Sequence, residues 1–169
     1  PEHIRTDHYT VRLSENGLME QITSRDGTRL LKCGDYLGGE LRARIKKQWV
    51  DNRSADCTFY TGPVCDILER ATSLGRIPVS ERYFFYKSTP AIKCEITFDF
   101  DADEVGYMWF DKTKINVYYP TAGSQIYHDI PFGYTQGRAG RPLFPTNWLY
   151  CGGLVYVNRG TPKHWVEDG

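Results

Sequence analysis

The chain has 169 residues, and its 21 Lys plus Arg residues balance 21 Asp plus Glu residues at pH 7. This balance gives no electrostatic basis for binding nucleic acid or an anionic membrane surface, and the apolar runs are too short to span a bilayer. We therefore expect no nucleic-acid or membrane partner, and the length suits a single domain of residues 1–169.

Short runs in which apolar and polar residues alternate predict strands along the first half of the chain. These runs are residues 9–13, 18–23, 41–45, 64–74 and 82–87. The first two are joined by Asn16-Gly17, and Asn-Gly between such runs is a strong hairpin signal. Residues 67–70 are also compatible with a helical turn.

The clearest strand signal lies in residues 92–101. There Ile92, Cys94, Ile96, Phe98 and Phe100 alternate with Lys93, Glu95, Thr97, Asp99 and Asp101. Successive side chains leave a strand on opposite sides, so this period of two predicts one buried and one solvated face. Antiparallel sheets give this pattern, whereas strands of parallel sheets are buried on both faces.

The last third of the chain predicts further strands around one long loop. The strands are expected at residues 114–119, 124–130, 148–151 and 153–158. Residues 133–145 are rich in Gly and Pro and predict the loop. About ten strands without a convincing helix predict an all-β protein, an antiparallel two-sheet β-sandwich.

The cysteines indicate a reducing compartment. There are five, an odd number, and none forms a CxxC pair, which argues against a disulfide framework and against a structural zinc site. We therefore expect a cytoplasmic protein. Residues 52–54 match the N-glycosylation triplet, but such triplets also occur by chance, and we expect this one to be unused.

Two polar segments fall short of a metal-binding or catalytic motif. Residues 99–103 have the acidic spacing of an EF-hand loop, but Glu104 stands where that loop needs Gly and Phe110 where it needs Glu. His128 precedes Asp129, but neighbours on a strand point to opposite faces and cannot form a dyad with each other. We expect no catalytic residue and no metal ligand in this chain.

Aromatic and cationic side chains are the candidates for ligand contact. Arg138 and Arg141 lie in the Gly-rich loop after Tyr134, and guanidinium groups on such loops bind carboxylates and sugar hydroxyls. An exposed Trp ring could stack on the C–H face of a sugar, although Trp rings more often fill a core. The four candidates are Trp49, Trp109, Trp148 and Trp165, of which Trp109 lies in an irregular acidic segment.

Three stretches, taken in order, resemble one family. They are Asn16-Gly17-Leu18 with Asp26-Gly27; residues 82–86 and Pro90 with Phe98-Asp99-Phe100-Asp101; and residues 129–133 with Pro145, Trp148 and residues 153–160. Together they cover nearly the whole chain and resemble the C-terminal β-sandwich region of glycoside hydrolase family 38, the α-mannosidases. The resemblance implies a galactose-mutarotase-like supersandwich fold.

The resemblance implies an accessory domain of a larger glycosidase, inactive alone. In that family the zinc ligands and the nucleophile belong to a separate catalytic domain, so we expect no cofactor here. The chain begins at Pro1 without Met, as expected of an excised domain. Its partners would be the catalytic domain of the same polypeptide and carbohydrate. The candidate carbohydrate contacts are Tyr134, Arg138, Arg141, Trp109 and His128.

Two other functions stay open. The domain could be a purely structural scaffold, which predicts a broad apolar patch without a polar pocket. It could also be a mutarotase-type sugar epimerase, which needs a general acid and a general base facing one pocket. For that chemistry the candidates are His128 with Glu81 or Glu95.

Overall fold

The computed structural model describes residues 1–45, 47–100, 115–120, 125–130, 133–137, 142–143, 147–157 and 164–165. Within these residues the chain forms seventeen β-strands and no helix. Every strand pairing is antiparallel. The predicted antiparallel all-β class is therefore confirmed. That part of the chain holds no helix long and apolar enough to cross a membrane.

The first sheet is a four-stranded meander. Its strands, in spatial order, are β1 (His3–Arg5), β2 (Tyr9–Leu13), β3 (Met19–Ser24) and β4 (Arg29–Lys32). Two of its turns depend on glycine, because Gly17 and Gly27 have φ angles of 74° and 89°. Glycine adopts this left-handed region without the steric cost of a Cβ. The Asn-Gly hairpin prediction is therefore confirmed.

The second sheet is the longest-stranded of the molecule. Its strands, in spatial order, are β10 (Ile92–Phe98), β9 (Ile77–Tyr86), β8 (Cys65–Leu74) and β7 (Ala55–Thr61). Residues 67–70 lie within β8 and are not helical. The alternating strand predicted for 92–101 ends at Phe98, and its apolar face is only half-buried. Within the described residues, β10 pairs with β9 alone.

Three smaller sheets complete the described structure. The third sheet consists of β11 (Ile115–Tyr118), β5 (Glu40–Ile45) and β6 (Gln48–Asp51). The fourth consists of β13 (Gly133–Gln136), β12 (Ile126–Ile130), β15 (Trp148–Cys151) and β16 (Leu154–Val157). The fifth pairs β14 (Pro142–Leu143) with β17 (His164–Trp165). The long loop predicted for 133–145 was wrong in part, since β13 and β14 lie within it. β13 folds back on β12 with Gly133 opposite Ile130.

The largest core cluster contains side chains from both the first and the second sheet. Val11 and Leu31 of the first sheet are fully buried in the same cluster as Leu68, Tyr83 and Phe85 of the second. Burial of apolar side chains in such a cluster is the main favourable contribution to the stability of a β-domain. A smaller cluster covers the third sheet, and another covers one face of the sheet that contains β12.

Candidate functional site

The sheet of β13, β12, β15 and β16 carries a row of tyrosines on one face. Tyr127 pairs directly with Tyr150, so the two side chains share a face. Tyr134 lies two residues from Gln136, the other partner of Tyr127, and therefore shares that face as well. The Tyr127 ring centroid lies 6.1 Å from that of Tyr134 and 5.9 Å from that of Tyr150. These distances place the Tyr127 ring in contact with the rings of both Tyr134 and Tyr150.

Three further apolar residues extend this surface. Trp148 pairs with Val157, and Tyr150 pairs with Val155, so all of them share the face of the tyrosines. We call this surface the tyrosine face and define it by Tyr127, Tyr134, Trp148, Tyr150, Val155 and Val157. The exposed Gln136, the direct partner of Tyr127, lies on the same face, so the patch is mainly but not wholly apolar.

Three of the six residues of the tyrosine face are exposed, and the other three are half-buried. Tyr134 is 67% exposed, Val155 61% and Val157 71%. The opposite face of the sheet holds the buried Leu149 and Cys151. An antiparallel sheet with one face on a core normally has a polar second face. A contiguous apolar patch in that position is typical of an interaction surface.

The sequence-predicted contact residues do not converge on one site. Tyr134 belongs to the tyrosine face, whereas His128 pairs with the buried Leu149 and lies on the opposite, core-facing side. Trp109, Arg138 and Arg141 lie outside the described residues.

Glu81, one of the two candidate carboxylates for acid–base chemistry, is enclosed in a buried network. Its Oε2 accepts a hydrogen bond of 2.5 Å from Arg70 Nη1 and one of 2.9 Å from the Tyr83 hydroxyl. Its Oε1 accepts a hydrogen bond of 2.6 Å from Asn52 Nδ2. Arg70 and Glu81 both have fully buried side chains. Glu81 therefore has a structural role rather than one as a solvent-facing acid or base.

Glu95, the other candidate, lies on the exposed face of β10. Its Oε1 lies 2.5 Å from Lys93 Nζ. That hydrogen bond lowers the pKa of Glu95 below its ordinary value. A carboxylate with a lowered pKa is a weaker base and is ionised at neutral pH, so it is poorly suited to general acid–base catalysis.

Asn52, the first residue of the glycosylation triplet, is inaccessible. Its side chain is fully buried, where Oδ1 accepts a hydrogen bond of 2.8 Å from the Leu41 amide. A glycan on this nitrogen would require the network around Glu81 to open.

The cysteines are all free thiols, and burial raises the pKa of the Cys94 thiol to about 11, which keeps it protonated at neutral pH.

No metal site emerges from the described residues, since they contain no group of three or more His, Cys, Asp or Glu side chains able to hold an ion.

A scan against protein-family models gave no match to this chain. A search of curated proteins gave no significant relative either.

Proposed function

We propose that the chain is an accessory β-sandwich of a glycosidase, similar to the C-terminal region of the family 38 α-mannosidases, and that it contacts carbohydrate beside a separate catalytic domain. The tyrosine face is the observation that carries this proposal. The common core of the first and second sheets supports a two-sheet supersandwich architecture. The free thiols fit a reducing compartment such as the cytoplasm.

The tyrosine face suits a sugar chain for two reasons. A pyranose has an apolar C–H face, which packs on an aromatic ring, and each phenol adds a hydroxyl that can exchange hydrogen bonds with the sugar. Tyr127, Tyr134 and Tyr150 provide three adjacent rings held at spacings set by the strand register. Because β-strands hold the rings, little side-chain ordering is required on binding.

Amide NMR of the 169-residue chain, titrated with an α-linked mannobiose, tests the proposal. We expect saturable shifts confined to β12, β13 and β15. Tyr134→Ala should weaken binding about tenfold, a loss of ~1.4 kcal/mol. Tyr60→Ala is the matched control, because Tyr60 is 51% exposed but lies on β7. If mannose, glucose and galactose disaccharides all leave these amides unchanged at tens of millimolar, sugar contact is refuted.

The purely structural scaffold is the second candidate function, favoured by the exposure of Val155 and Val157. Aliphatic side chains on an edge strand are better suited to burial against protein than to sugar binding. On this alternative the tyrosine face would be covered by the catalytic domain of the same polypeptide and would bind no sugar. A mutarotase-type epimerase draws no support from the described residues, because Glu81 is buried in its network and Glu95 pairs with Lys93.

A further inference from the structure

A groove of about 740 Å³ lies between β6 of the third sheet and β7 and β8 of the second. These strands are not part of the tyrosine face. The polar and aromatic residues that line the groove are Trp49, Asp51, Ser54, Asp56, Thr72 and Ser73. The groove therefore combines an indole ring, two carboxylates and three hydroxyl groups.

The Trp49 ring is held in place beside the groove. Trp49 is 55% exposed, which is high for so large an apolar side chain. The guanidinium carbon of Arg42 lies over the indole, 5.2 Å from the ring centroid, and also over the ring of Tyr36 at 5.3 Å. The Tyr36 ring in turn stacks on Tyr118 with centroids 4.3 Å apart. This cation–π stack restricts the indole before any ligand binds.

The hydrogen-bonding groups of the groove are mainly acceptors. Asp51 and Asp56 are both exposed, and Asp51 Oδ1 already accepts a hydrogen bond of 3.2 Å from the Arg53 amide. The described residues that line the groove include no cation, but Arg42 borders the groove, because it lies over the Trp49 ring and is the direct cross-strand partner of Asp51. Hydroxyl groups of a neutral ligand would find carboxylate acceptors at Asp51 and Asp56.

A buried framework fixes the segment that carries these groups. Arg70 Nη2 donates a hydrogen bond of 2.8 Å to the Asn52 carbonyl, and Thr72 Oγ1 donates one of 2.6 Å to the Ser54 carbonyl. Both bonds link the connection between β6 and β7 to β8. The groove is thus attached to one of the most buried parts of the second sheet, and a site supported in this way keeps its geometry.

From these observations we infer that the groove is a second carbohydrate subsite, which takes a neutral sugar ring. The ring would pack its C–H face on Trp49 and direct hydroxyl groups to Asp51 and Asp56. The inference rests on the proposed function for its ligand class, but on a different surface. Because the groove is shallow and solvated, we expect millimolar affinity for a monosaccharide.

The test is an amide NMR titration with three matched monosaccharides: glucose, glucuronate and glucosamine. Glucose should shift amides of residues 48–51, 54–56 and 71–73, and glucuronate should bind more weakly because its carboxylate would approach the two carboxylates of the groove. Trp49→Ala should weaken glucose binding at least about fivefold, and Asp56→Asn about threefold, which correspond to ~1 and ~0.7 kcal/mol. Trp49→Phe should keep part of the affinity, which separates loss of the ring from loss of the fold.

Tyr134→Ala separates this inference from the proposed function, because it removes a ring from the tyrosine face and should leave the groove shifts unchanged. Groove shifts that survive Trp49→Ala would overturn the inference. So would a response to glucosamine without one to glucose, since that pattern describes a cation site. If the groove is silent while β12 and β13 respond, the subsite is refuted and the proposed function stands. If only the groove responds, the tyrosine face is refuted as the sugar contact.

Discussion

The buried ion pair between Arg70 and Glu81 gives the most direct test of how the second sheet is held together. The two residues are direct partners across β8 and β9, and both side chains are fully buried. Arg70 also donates hydrogen bonds to the carbonyls of Asn16 and Asn52, at 2.6 Å and 2.8 Å. The pair therefore links the β2–β3 turn, the β6–β7 connection and the second sheet.

Removing one partner leaves the other charge buried and unpaired. Arg70→Met should lower the free energy of unfolding by about 3–5 kcal/mol, because the Glu81 carboxylate keeps only the neutral donors Asn52 and Tyr83. Glu81→Gln should cost a similar amount, because the Arg70 guanidinium then has no counter-charge. Such losses are large against the ~5–15 kcal/mol that stabilises a typical domain.

The assay is urea unfolding of both variants and their combination, analysed with a common slope. The double variant should cost less than the sum of the single ones, with a coupling of about 1–3 kcal/mol. Arg82→Met is the matched control, because Arg82 pairs with Glu69 across the same strands but is half-exposed. It should cost less than about 1 kcal/mol. Burial of the pair is refuted as the source of the cost if Arg70→Met lowers the free energy of unfolding no more than Arg82→Met, or if the single effects simply add.

A substitution at Gly39 tests a close packing contact, and a substitution at Asp26 tests the hydrogen bonds of a turn. Gly39→Ala should cost at least about 2 kcal/mol in urea unfolding, because φ is 85° and the new Cβ would lie 2.4 Å from the Tyr83 hydroxyl oxygen; Gly27→Ala, with φ 89° and open space, should cost clearly less. Asp26 accepts hydrogen bonds from Ser24 Oγ and the Thr28 amide, which lower its pKa below 3.8. The stabilisation from ionised Asp26 is therefore present above pH 3.8 and is lost as the pH falls below it. Asp26→Asn should make the free energy of unfolding less dependent on pH in the acid range. An unchanged pH dependence there would contradict this.

The sequence pattern was sufficient to predict the positions of strands that have one buried face. Residues 9–13 match β2 at both ends, because apolar residues that face the core alternate there with polar ones. Residues 148–151 also match β15 at both ends, although all four are apolar. The sequence did not indicate β7, since most of its side chains are exposed on both faces and nothing needs to be buried. β9 begins at Ile77, before the predicted start at residue 82. Pro78 lies near the start of this strand, where a missing amide is tolerated.

The tyrosine face was only partly predictable. Tyr134 was predicted as a ligand contact in a loop, yet it lies on β13. Tyr127 and Tyr150 were not singled out, because they are more than twenty residues apart in the sequence and meet only through the register between β12 and β15. In β15 both alternating positions are apolar, so the pattern does not show which side faces the core. That choice is made by tertiary packing.

The hydrogen bonds among Arg70, Glu81 and Asn52 contribute more to the position of the groove residues than to the stability of the fold. A buried ion pair gains little over well-packed apolar residues, because the cost of removing both charges from water offsets their attraction. The pair of Arg70 and Glu81 does what an apolar pair could not, since it hydrogen-bonds both the carbonyl and the side-chain amide of Asn52. That residue lies between Asp51 and Ser54, which line the groove. We therefore interpret the network as a positioning device, so the Arg70→Met/Glu81→Gln variant should lose glucose shifts in the groove while keeping the mannobiose shifts of the tyrosine face.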